Sequence, residues 1–107
     1  MKNIRPFVKT LKSAKKFKRI LGNSRQKKGL CCGFVTLKSG KAVGLHSTGK
    51  KEEILIILKG KAQVLIADKH FILKDRMVLY IPRGTLHDVK NPDARPLKYL
   101  YFTAPAG

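Results

Sequence analysis

From Leu30 onward, apolar and polar residues alternate with a period close to two, and turn-forming pairs cut the alternation into short pieces. A helix needs a period near 3.6, so this stretch is expected to fold as strands. The predicted strands are Leu30–Lys38, Ala42–Thr48, Glu53–Leu58, Ala62–Ala67, His70–Leu73, Met77–Pro82, His87–Asn91 and Leu97–Thr103. Ser39-Gly40, Gly49-Lys50, Lys59-Gly60, Asp68-Lys69, Lys74-Asp75, Arg83-Gly84 and Asn91-Pro92-Asp93 separate them. Short strands at this regular spacing indicate an all-β sandwich or barrel. No helix-length pattern interrupts them, which argues against parallel βαβ units. The chain has 107 residues, enough for one core.

The N-terminal quarter follows another rule. Ile4, Phe7, Val8, Leu11, Ala14, Phe17, Ile20 and Leu21 recur at spacings of three and four, the stripe of an amphipathic helix. Pro6 suits a first helical turn, and Gly22-Asn23 a stop. Residues 1–28 are therefore read as a helical arm and linker, and residues 29–107 as the body. The formal net charge is +18, and it is uneven. The arm holds eleven Lys and Arg and no acid, whereas the body holds thirteen basic and six acidic residues, a net +7. The arm's stripe is expected to cover a face of the body or a dimer seam. Its charge also fits a non-specific anionic partner, nucleic acid or lipid. An organelle import peptide is a weaker fit, since lysine outnumbers arginine and serine is sparse.

Other classes are excluded by what is missing. The longest apolar run, Ile54 to Leu58, has five residues, far short of the roughly 18 of a membrane span. The opening segment lacks the apolar stretch of a secretory signal. Cys31 and Cys32 are adjacent and have no second pair, so neither a disulfide framework nor a cysteine zinc site is expected. A reducing, cytoplasmic setting follows. There is no nucleophile elbow, phosphate-cradling glycine loop or His-Glu-x-x-His helix.

Two segments carry a more specific signal. In the first, Gly40 is followed after five residues by His46, after one more by Thr48, after four by Glu53, and after six by Gly60. The second runs Pro82-x-Gly84-x-x-His87-x-x-x-Asn91. Together they resemble the two motifs of the cupin superfamily, over residues 30–104. Two positions depart from the pattern: Thr48 replaces a second histidine of the first motif, and Arg76 replaces the leading glycine of the second. A side chain held in a left-handed backbone at Arg76 would cost roughly 1–2 kcal/mol, so the turn Leu73-Lys74-Asp75-Arg76 is expected to take another shape.

The resemblance implies a double-stranded β-helix, the jelly-roll cupin barrel, with a ligand site inside. It implies a divalent metal (Fe, Mn, Ni or Zn) held by His46, Glu53 and His87, with Thr48 in the vacated ligand position. Two imidazoles and one carboxylate suit iron(II) and leave coordination positions open. Glu53 is then also a candidate general base. The bland alternative is that the histidines merely line an empty barrel while Glu53 pairs with Arg83 or a lysine.

Three functions follow from this sequence. One is a metal-dependent oxygenase or isomerase. Another is a non-catalytic module for a small anionic ligand, assisted by Arg83 and Lys50-Lys51 at the mouth. The third is a nucleic-acid- or membrane-associated protein acting through its arm. Family analogy adds a homodimer. His70 is expected on an outer face without a role. Tyr99 and Tyr101 share one face and either line the pocket or pack a sheet.

Overall fold

The strand Lys51–Lys59 shows how the pattern becomes structure. Glu53, Leu55 and Ile57 point inward, and Glu52, Ile54 and Leu58 point outward, as a two-residue side-chain period requires. We describe the fold from a computed structural model, which covers residues 7, 8, 10, 11, 17–21 and 29–106. Nine strands follow one another among these: β1 Phe17–Leu21, β2 Cys31–Leu37, β3 His46–Ser47, β4 Lys51–Lys59, β5 Ala62–Ile66, β6 Lys69–Leu73, β7 Val78–Ile81, β8 Leu86–Lys90 and β9 Leu97–Pro105. They form two antiparallel sheets, ordered β1-β2-β9-β4-β7 and β3-β8-β5-β6. All eight strands expected from Leu30 onward are present.

The core lies between the sheets. The larger sheet contributes Val35, Leu37, Leu55, Ile57, Ile81, Leu97 and Tyr99, and the smaller one Ala62, Val64, Leu73 and Val89. None of these is more than 5% exposed. Each large aliphatic side chain so buried contributes about 1.5–3 kcal/mol. The smaller sheet gives fewer core residues and ends in the short, exposed β3, which leaves the barrel open beside His46.

Three expectations are corrected. The helix does not extend over residues 17–21, which form β1, antiparallel to β2 with Phe17 opposite Val35 and Leu21 opposite Cys32. Five residues suffice to complete a sheet edge, whereas a short helix is marginal without a partner. Phe7, Val8, Thr10 and Leu11 lie in no regular element, and the remainder of the expected helix lies outside the described residues. Thus β1, although N-terminal to residue 29, belongs to the larger sheet.

The predicted strand Ala42–Thr48 shrinks to His46–Ser47, preceded by a lone bridge from Ala42 to Lys90. Gly44, at φ 112°, breaks the extended backbone between them. Finally, the turn before β7 keeps its left-handed residue. Arg76 has φ 68°, and its N–H donates to Ile57 O at 2.8 Å.

Candidate metal centre

The sheets bring three side chains to the open end. β3 and β8 pair with His46 directly opposite His87, and their rings approach to 4.2 Å between centroids. Glu53 comes from β4, in the other sheet, and its Oε1 is 3.0 Å from His87 Nε2. Each residue offers one ligand atom, and these atoms lie within 4.8 Å of one another. Metal–ligand bonds of about 2.0–2.2 Å would close that span after small side-chain rotations.

The hydrogen bonds around the rings suit the task. His46 Nδ1 lies 2.7 Å from Gly44 O, and His87 Nδ1 lies 3.0 Å from Thr85 O. A carbonyl can only accept, so Nδ1 carries the proton in each ring and the Nε2 lone pair is free in the neutral form. This is how ligating histidines are oriented by their surroundings. His87 is buried and His46 exposed, so the group sits at the boundary between core and solvent. Burial acts to lower the His87 pKa. The hydrogen bonds to Glu53 and Thr85 and the charges of Glu53 and Asp88 outweigh it, and the net direction is upward.

A pocket of about 390 Å³ opens in front of these residues. Its floor is apolar, built from Val35, Leu55, Val89 and Tyr99, and Lys51 lies on its rim. Such a volume falls in the range of small-molecule sites. Burial, aided by the charge of Glu53, raises the Tyr99 phenol well above its ordinary value and keeps it neutral. Donor set, ring orientation and space together fit a divalent cation.

A family model described as a cupin domain matches residues 33–103. The chain belongs to the cupin family. Among solved structures, the cupin barrel resembles the Cnp3 cupin domain of Schizosaccharomyces pombe, with a TM-score of 0.76 at 21% identity, covering 84% of this chain and 64% of that one. It also resembles a Cupin 2 conserved barrel domain protein from Salinispora arenicola, with a TM-score of 0.72 at 20% identity, covering 84% and 75%. A curated relative, the mannose-1-phosphate guanylyltransferase of Sinorhizobium fredii, is 38% identical over 56 residues. That match takes in 52% of this cupin but only 11% of the relative's length.

The remaining motif positions of this cupin hold the frame. Gly60 has φ 104°, and a Cβ there would stand 2.7 Å from Pro96 O. Asn91 is fully buried; its Nδ2 donates to Leu37 O and Arg95 O, and its Oδ1 accepts from the Asp93 N–H. Glu52 faces outward and accepts from the Tyr80 hydroxyl at 2.9 Å.

Thr48 lines the pocket, but its hydroxyl is committed elsewhere. Oγ1 donates to Pro82 O at 2.8 Å and accepts from the Thr85 N–H at 3.0 Å. It thereby ties the end of β3 to the loop that leads into β8, the strand that carries His87. Arg83 is not a lining residue; its guanidinium reaches Ala106 O at 3.5 Å. Glu53 pairs with His87 rather than with Arg83. His70 is exposed, beside Gln63, as expected. Tyr99 and Tyr101 both line the pocket.

Sequence reasoning missed Phe17 and Gly33. Phe17 stacks on Tyr101 with 5.9 Å between ring centroids, and it closes one side of the pocket. Gly33 lies beneath the same ring, where any Cβ would collide with it. Phe17 and Leu21, four residues apart, share a face in helix and strand alike, but Ile20, three from Phe17, fits the helix alone, so the local pattern points to a helix.

Proposed function

We propose that this cupin binds one divalent metal through His46, Glu53 and His87 and holds a small anionic ligand beside it. The observation that carries this reading is the convergence of the three donors, with both Nδ1 atoms turned to backbone carbonyls. The chemistry such a centre supplies is Lewis-acid polarisation of a ligand oxygen, or oxygen activation if the ion is iron(II). Within this reading Glu53 is a ligand and the candidate base. Lys51 on the pocket rim attracts the anion, and the apolar floor excludes water from one side of it. The name of the curated relative contains a phosphorylated sugar, a ligand class consistent with that rim. The catalytic versions are an oxygenase or an isomerase.

A non-catalytic ligand module is the second reading. Thr48 favours it, because its hydroxyl is spent on Pro82 and Thr85 and the donor set stops at three. The deciding experiment is metal analysis of protein purified without added metal, followed by titration of the chelator-stripped protein with Mn²⁺, Co²⁺ and anaerobic Fe²⁺. One ion per chain, lost in His87→Ala, is expected. Absence of stoichiometric binding to the folded protein would overturn the metal reading.

A further inference from the structure

At the opposite end of the barrel from the histidines lies a second cleft, of about 270 Å³. Its lining is Lys59, Gly60, Asp75, Arg95, Pro96 and Lys98. Lys59 lies six residue steps along β4 from Glu53, so the cleft is about 20 Å from the group His46, Glu53 and His87. A register shift between Ile57 and Lys59 sets Lys59 directly across from Lys98 on β9. Like charges opposite one another in a strand pair are destabilising. The neighbouring acids do not fully offset them. Asp75 accepts from the Gly60 N–H at 2.7 Å, which fixes its carboxylate as part of the cleft wall. Asp93 is 3.4 Å from Arg95 and also feels Lys61. Counting Lys59, Lys61, Arg95 and Lys98 against Asp75 and Asp93 leaves this end of the barrel with a local excess of two positive charges. The floor is rigid backbone, where Gly60 and Pro96 approach too closely to admit a side chain between them.

We propose that this cleft is a binding site for a phosphate group, taken either as inorganic phosphate or as the phosphoryl end of a small phosphomonoester. A phosphoryl group carries about −1.5 to −2 charges at neutral pH, which matches the local excess. The cleft is smaller than the roughly 300–1,000 Å³ of sites for drug-sized ligands, which limits the occupant to a small molecule. The +18 of the whole chain draws such anions in from solution.

The test is an amide-resolved NMR titration of the full chain with inorganic phosphate and, separately, with glycerol 3-phosphate, against sodium chloride at matched ionic strength. Saturable shifts centred on Lys59, Gly60 and Lys98 are expected with at least one of the two phosphates. Saturation by inorganic phosphate assigns the site to the free ion; saturation by the ester alone assigns it to a phosphorylated metabolite. The double variant Lys59→Gln/Lys98→Gln removes the opposed charges, so it folds at least as stably as the parent, and its phosphate affinity falls at least tenfold. Shifts that follow ionic strength alone, shifts centred on Lys51, or unchanged affinity in the double variant would each overturn the proposal. Because Lys51 and the histidines lie at the other end, failure here is distinct from failure of the metal reading.

Discussion

His87 places both ring nitrogens against acceptors: Nε2 is 3.0 Å from Glu53 Oε1 and Nδ1 is 3.0 Å from Thr85 O. Without a metal, that environment is best satisfied by the doubly protonated ring. The bond between two different sheets then becomes an ion pair closing the open end of the barrel. A bound cation would take the place of the Nε2 proton between the same two residues.

Opposite pH responses follow for the two forms. The folded-state pKa of His87 is raised, so its contribution to metal-free stability is fully present below the unfolded value of about 6.5 and is lost as pH rises through the folded value. Metal binding needs the deprotonated Nε2, so the metal's contribution grows over that same window. Melting temperatures measured with chelator and with Mn²⁺ should diverge as pH increases, and the divergence should vanish in His87→Asn. Parallel profiles would contradict a metal at this nitrogen.

Because His46 is exposed and His87 is 1% exposed, substitutions at these two proposed ligands should separate stability from metal binding. His46→Ala should change unfolding free energy by no more than about 0.5 kcal/mol, as surface substitutions usually do. It should weaken metal binding by at least about tenfold, since even outer partners of metal ligands cost 10–100-fold. Calorimetric titration beside urea unfolding checks both halves. Metal affinity unchanged by His46→Ala would remove it from the ligand set.

Thr48 should behave as a brace. Its hydroxyl makes two hydrogen bonds to backbone, at Pro82 and Thr85. At about 0.5–1.5 kcal/mol each, Thr48→Ala should lose roughly 1–3 kcal/mol, and Thr48→Ser should recover most of it. Metal affinity should be the same in all three proteins. A drop in affinity matching the loss of the hydroxyl would instead place Thr48 among the ligands.

Both motifs and the strands from Leu30 onward, apart from the shortened Ala42–Thr48, were legible because each rests on local alternation or fixed spacing. What Thr48 does was not, because its partners are 34 and 37 residues away and only the fold brings them together. The arm misled for a related reason. The spacing of Phe17, Ile20 and Leu21 favours a helix, but the outcome is set by an unpaired edge of β2, which a linear reading does not contain. Arg83 stands at the motif's loop, yet its guanidinium reaches Ala106 O and is not among the residues that line the pocket.

Arg76 offers a gain rather than a loss. Its φ of 68° lies in the left-handed region, where a side chain costs roughly 1–2 kcal/mol. The conformation is retained because the Arg76 N–H is bonded to Ile57 O, which ties the turn to the end of β4. Arg76→Gly relieves that strain but adds freedom to the unfolded chain, at a cost of about 0.5–1 kcal/mol. The net stabilisation should be about 0.5–1 kcal/mol. Arg76→Ala removes the same charge without relieving the backbone, so the difference between the two variants isolates the conformational effect. Urea midpoints with unchanged slopes are the measurement. If Gly and Ala variants unfold at the same midpoint, the turn has relaxed out of the left-handed region and the strain is not there.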